Sequence, residues 1–398
     1  MNKKPELMSP IKNWTSLRAC KKYADAVYFS ASNMSLRAGA NNITLDELGE
    51  FVNECHKNNI KSYLTVNSVV YNQDIKKVKD VIKKAKENNV DAVIVWDPAT
   101  IEIAKEIGID FFISTQANVS NYKAANFYKN IGAKRVILAR EMTLKQIKEV
   151  RKKTDIELEA FIHGAMCLAI SGRCILSAYF ENKSANKGAC YQLCRRKWKL
   201  IDDDGNAVET DGKYFLNPKD ICMIEYIPEM IEAGINSFKI EGRQRNPNYI
   251  ETTAKYYRKA IDAYYEDDFT KERAQKWKKE LKKVYNREFS TGFYFGTPSA
   301  EGINFNNSGS AATTKRKQIG IVTHYYPKSK AAAVKLEHRD LEVGETITIE
   351  GENTYLKQRV DSIQLNKKNI QKAKKGSSIG IKVKKRVRKN DKIFVILD

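Results

Sequence analysis

The chain has 398 residues with 42% hydrophobic content, and its 70 Lys and Arg against 48 Asp and Glu leave a net charge of +22. That length suits a barrel of about 250 residues plus a second module of about 100, and the apolar fraction supports a real core. No apolar run approaches the ~20 residues of a membrane span, and the opening MNKKPELMSPIKNW lacks the apolar stretch of a signal peptide. No membrane partner and a cytoplasmic setting are therefore expected.

In chain order, short apolar segments alternate with amphipathic stretches. The strand candidates are ELMSP (6–10), the end of KKYADAVYFS (21–30), KSYLTVN (61–67), the end of KENNVDAVIVWD (86–97), FFISTQ (111–116), the end of KNIGAKRVILAR (129–140), ELEAFIHG (157–164) and the end of EAGINSFKIEG (232–242). Helical stretches such as LDELGEFVNECHKN (45–58) repeat apolar residues at i, i+3, i+4 and i+7. Near-continuous apolar strands point to a parallel sheet buried on both faces. Eight such units predict a (β/α)8 barrel, with an open doubly wound sheet as the alternative. The barrel is expected over 1–265, including a Cys-rich insertion (164–236) after strand seven, at the catalytic end. A helical and linker segment (266–315) follows. Alternating strands with turns then predict a small antiparallel β-barrel domain over 316–398. From residue 311 on, 21 Lys and Arg face 9 Asp and Glu, a footprint that fits a polyanion such as RNA. Within it, KVKKRVRKND (382–391) reads as a half-buried strand with a basic outer face.

The insertion carries the chemistry. Five of the seven cysteines fall between Cys167 and Cys222, spaced Cys167-x6-Cys174-x15-Cys190-x3-Cys194 and then Cys222. Clustered thiols in a reduced setting point to a soft metal centre. Only Cys190 and Cys194 form the close pair usual for zinc, and the irregular spacing suits an iron–sulfur cluster better.

The surrounding residues resemble a known family. His163, Gly164, Ala165, Cys167, Ser171, Gly172, Arg173, Cys174, Ser177, Gly188, Cys190, Cys194 and Arg195 match the signature block of the U32, or collagenase-like peptidase, family. SLRAGANNITLDEL (35–48), STQANVSN (114–121), ILAREMTL (137–144), FKIEGRQR (238–245) and NREFSTGFYFG (286–296) are similar to family segments in the same order. The resemblance implies a hydroxylase with a 4Fe-4S cluster. It is closest to the branch that makes 5-hydroxyuridine at the tRNA wobble position with prephenate, a small carboxylate, as co-substrate. It further implies Cys167, Cys174, Cys190 and Cys222 as ligands, with Cys194 as the alternative to Cys222.

Polar residues at strand ends, where barrel active sites form, complete the candidates. His163, Glu141, Asp97 and Glu241 are the acid/base candidates. Arg37, Asn67, Gln116, Arg140, Arg173 and Arg243 are the substrate-binding candidates, since guanidinium groups grip carboxylates and phosphates bidentately. Some of these polar residues are expected only to cap helices. A peptidase is the rival class, although the chain lacks the H-E-x-x-H zinc-protease motif. An RNA-binding protein with a structural metal is a second rival, and hydroxylation of ribosomal RNA or of a quinone is a third.

Overall fold

The computed structural model describes residues 3–31, 34–36, 43–201, 203–205, 207–208 and 214–397. Among them, eight parallel strands form the barrel: β1 (Glu6–Pro10), β2 (Ala26–Phe29), β3 (Lys61–Thr65), β4 (Ala92–Val95), β5 (Phe111–Ile113), β6 (Arg135–Ile137), β7 (Glu157–Gly164) and β8 (Ser237–Ile240). Ser237 of β8 pairs with Glu159 of β7 and with Glu6 of β1, which closes the sheet. No helix among the described residues is long and apolar enough to cross a membrane.

The helices form because their apolar residues share one face and their ends are capped. Helix Ile75–Glu87 buries Val78, Val81, Ile82 and Ala85, the i, i+3, i+4, i+7 stripe. Thr143 and Gln146 form a reciprocal capping box on helix Leu144–Arg151. Strand alternation then divides the core: Leu7, Val27 and Leu64 pack outward against helices, while Met8, Tyr28, Tyr63 and Phe161 fill the barrel.

The barrel interior also holds a charged ladder. Arg135 is almost fully buried and bonds Glu6 at 2.6 Å, Glu157 at 2.7 Å and Glu159 at 3.2 Å. Lys239 reaches Glu159 at 2.8 Å, and the Tyr63 hydroxyl donates to Glu6 over 2.7 Å. Buried charges are tolerated when every member is paired in this way.

Beyond β7 the insertion ends in strand Asp220–Cys222, which runs antiparallel to the end of β7 with Cys222 opposite His163. Helix Pro247–Tyr265 follows β8, then helix Lys271–Lys282. The C-terminal region is an eight-stranded antiparallel sheet around its own core, including Ile319, Val334, Ile347 and Ile393. The Gln358 side chain ties edge strand Thr354–Arg359 to the backbone of Lys382 and Lys384, over 2.7 and 2.9 Å. This sheet meets the barrel through Tyr355 to Glu251 (2.8 Å) and Lys357 to Asn248 (3.0 Å). The basic tract 382–391 differs from its expected form: the strand ends at Lys382 and the rest is a loop. Val383 and Val387 are buried and anchor that loop, so the same alternation arises without strand pairing.

Candidate active site at the barrel mouth

The C-terminal ends of the barrel strands and the insertion enclose a cavity of about 1030 Å³, counted with its open mouth. The strand ends supply its cations. Arg243 is 6% exposed and donates from one terminal nitrogen to Thr65 Oγ1 over 2.8 Å and to Ser35 Oγ over 3.3 Å. Lys239 lines the same floor, held by Glu159, with its ammonium 4.4 Å from the centre of the Tyr28 ring. Arg140 donates to the Ala165 carbonyl over 2.7 Å and stacks 3.7 Å above Phe161, while its buried Nε has no hydrogen-bond partner among the described residues. Burial depresses the pKa of Arg140 and of Lys239, and the carboxylates Glu241 and Glu159, respectively, oppose it. Glu241 lines the cavity among these cations, its Oε2 accepting from the Ala165 N–H at 3.3 Å.

Asn67 also lines the cavity. Its amide donates to Gln116 Oε1 at 3.0 Å and to Ser114 Oγ at 3.2 Å, and Gln116 Nε2 donates back to the Asn67 carbonyl at 2.6 Å. Gln116 is fully buried behind it and so orients Asn67 rather than meeting a ligand. Arg173 is exposed at the rim, near Trp96 and the Gln116 carbonyl, and does not line the cavity. Glu141 borders a neighbouring pocket with Arg140 and Cys167. Asp97 caps helix Pro98–Ile107 by accepting from the Ala99 N–H, the structural outcome for a polar strand end. Arg37 lies outside the described residues. Lys239 was missed by sequence reasoning because it sits within the apolar run SFKI.

The insertion supplies the thiols. Cys167, Cys174, Cys190 and Cys194 all line the cavity, although among the described residues no three His, Cys, Asp or Glu side chains converge as ligands of one ion. Arg195 staples the insertion shut, donating to Asn217 Oδ1 and the Pro218 carbonyl over 2.7 Å and to the Met166 carbonyl over 2.6 Å. Gly172 has φ +75°, a backbone conformation that side chains with a Cβ rarely adopt, and a Cβ there would also press on the Leu36 side chain. Burial pushes the Cys194 thiol above its ordinary range; Arg195 acts the other way, while Cys167, Cys190 and Cys174 add to the rise.

Two expected site residues stand elsewhere. His163 is 1% exposed, does not line the cavity, and packs between Tyr249, Tyr257 and Phe289 with Nδ1 3.2 Å from the Tyr257 hydroxyl. The physical reason is a bulge: pairing runs Lys239 to Phe161 and then Ile240 to His163, which turns His163 outward. Burial lowers its pKa to about 3, helped by Arg245, so the imidazole is neutral. Cys222 is also outside the cavity, buried beneath the Tyr257 hydroxyl at 3.7 Å, with its thiol pushed up to about 11 by burial. Cys194, and not Cys222, shares the cavity with Cys167, Cys174 and Cys190.

Sequence reasoning also passed over the G-x-S-x-G run Gly376–Gly380. Its Ser378 lies in an antiparallel strand opposite Lys335, not on the strand-to-helix elbow that activates a serine nucleophile.

Fold and site together define a (β/α)8 barrel of enzyme type, with a thiol-bearing insertion roofing a cationic mouth. The chain belongs to peptidase family U32, whose profile matches residues 12–304. It is 45% identical to a protein of Methanocaldococcus jannaschii described as an uncharacterized protease, over 98% of each chain. It is 37% identical to a collagenase of Porphyromonas gingivalis, over 98% of this chain and 97% of the relative. It is 40% identical to tRNA hydroxylation protein P1 of Bacillus subtilis, over 82% of this chain and 78% of the relative.

Proposed function

We propose that this protein hydroxylates RNA, with tRNA as substrate and the wobble uridine C5 as the position modified. The observation that carries this reading is one cavity lined both by four thiols, Cys167, Cys174, Cys190 and Cys194, and by the cations Arg140, Lys239 and Arg243. The relative named for tRNA hydroxylation supports the same reaction class.

The donor set fits a 4Fe-4S cluster. A cube of irons takes each thiolate at a different corner, so four soft donors spread around a cavity suit it. When bound, such a cluster supplies one-electron redox chemistry. The chain's own groups bind and orient. Arg140 and Arg243 are fixed by the Ala165 carbonyl and by Thr65, ready to take two carboxylates of a co-substrate such as prephenate. Lys239, held from below by its ion pair with Glu159, places a third polar donor on the cavity floor without free rotation. Glu241 is the carboxylate facing this space and is placed to accept or return a proton at its side-chain oxygens. The insertion covers the mouth and limits water.

A peptidase reading draws on the names of two relatives. Ser171, whose Oγ sits in the cavity wall, has no hydrogen-bond partner among the described residues and hence no base there to activate it. The test is mass spectrometry of tRNA nucleosides from a strain lacking the gene, with the gene restored as control. Loss and recovery of a hydroxylated uridine is expected; an unchanged nucleoside profile overturns the reading.

A further inference from the structure

The insertion turns a row of large apolar side chains toward water. Leu168 is 48% exposed, Ile175 58%, Tyr179 78%, Phe180 61% and Tyr191 48%. Their positions follow the cavity wall: Leu168 adjoins Cys167, Ile175 adjoins Cys174, and Tyr191 stands between Cys190 and Gln192. The thiols line the cavity, Cys190 at its exposed edge, and the large apolar groups beside them are open to water. Helix Leu176–Glu181 carries Tyr179 and Phe180, and the Phe180 ring centre lies 5.4 Å from that of Trp198. Ser177 of the same helix accepts from the Tyr191 N–H over 3.2 Å, which fixes Tyr191 against that helix.

An apolar patch of this kind marks an interaction surface. Its charge decides the occupant. Residues 164–201 contain seven Lys and Arg against one acid, Glu181. A second copy of this chain, at +22, would bring like charge onto a positive rim. Unpaired nucleotides match both properties, since each base offers a flat apolar face and each phosphate a negative charge.

We propose that Tyr179, Phe180 and Tyr191 form a stacking platform for the bases of an unpaired RNA loop, which delivers one nucleotide into the thiol-lined cavity. Arg173 and Lys183 take the flanking phosphates. This inference rests on the RNA reading above. It adds which surface holds the RNA and requires the target to be single-stranded at that point.

The test measures binding of a fluorescein-labelled tRNA transcript to the full-length protein across a salt series. Tyr179→Ala and Tyr191→Ala should each weaken binding by about five- to 150-fold, the loss of one stacked base, with the salt slope unchanged. Tyr179→Phe should keep the affinity and Tyr179→Leu should lose it, because leucine replaces the apolar bulk without a π face. These side chains are exposed, and thermal melting of each variant confirms the fold. Wild-type affinity in the Ala and Leu variants overturns the platform, as does conversion of an oligomer to monomer by these substitutions. If the wild-type protein binds no tRNA, the platform and the RNA reading fall together. If the gene controls tRNA hydroxylation yet the variants bind normally, only the platform falls.

Discussion

Lys239 donates to Glu159 over 2.8 Å inside the barrel, and this contact joins the floor of the cationic cavity to the ladder of Arg135 and Glu6 beneath it. Glu159 is fully buried, so its removal leaves Lys239 without its carboxylate, while Arg135 keeps Glu6 and Glu157. Glu159→Leu should therefore destabilise the protein by about 3–5 kcal/mol, read as a shift in urea midpoint. Adding Lys239→Met to it should cost less than the sum of the two single changes, because the pair is then removed together. Additive midpoints would show that the two charges are not coupled.

His163 gives a pH dependence whose sign is fixed by its environment. Burial takes its pKa from 6.5 to about 3, so the unfolded chain binds this proton more readily than the folded one. Its contribution to stability is complete above pH 6.5 and is lost as pH falls from there toward 3, by up to about 1.4 kcal/mol per pH unit. His163→Phe removes that proton and should flatten this part of the acid-unfolding profile. An identical slope in the variant would assign the titration to other groups.

The barrel was legible because parallel strands buried on both faces read as apolar runs, and β1 to β8 fall within the eight expected segments. Asn67, Arg140, Glu241 and Arg243 were legible as polar ends to those runs. What failed was parity and distance. A bulge beside Phe161 turned His163 to the wrong face, a local irregularity that periodicity cannot reveal. Lys239 and Glu159 are 80 residues apart, so neither strand shows that its charge is neutralised. Cys222 entered the expected ligand set by resemblance; its strand folds back along β7 and carries the thiol behind the cavity wall.

The loop Lys384–Lys389 should contribute to RNA affinity through charge alone. Lys384, Lys385, Arg386 and Lys389 are exposed, while Arg388 donates to the Asn353 carbonyl at 2.7 Å. Arg18 bonds the Asn353 side chain at 2.6 Å, which sets the loop beside helix Trp14–Cys20 of the barrel. Replacing the four exposed cations by Gln should weaken tRNA binding and reduce the log–log salt slope, by about 0.9 for each lost duplex phosphate contact. An unchanged slope would place the phosphate contacts elsewhere.

The thiol set makes the sharpest prediction. Anaerobically purified protein should be brown and hold about four irons per chain, the content of one cubane cluster. Cys167, Cys174, Cys190 and Cys194 line one cavity, so Ser at any of them should remove iron and hydroxylation together. Cys222→Ser should keep its iron, because that thiol is buried under Tyr257 and stands outside the cavity. Cys20→Ser and Cys55→Ser serve as controls, since both thiols are fully buried in the barrel core away from the mouth. Iron and sulfide analysis of these variants beside the wild type distinguishes the sets. Loss of iron from Cys222→Ser with retention in Cys194→Ser would reverse the assignment, and stoichiometric zinc without iron in the wild type would remove the redox chemistry from the proposed reaction.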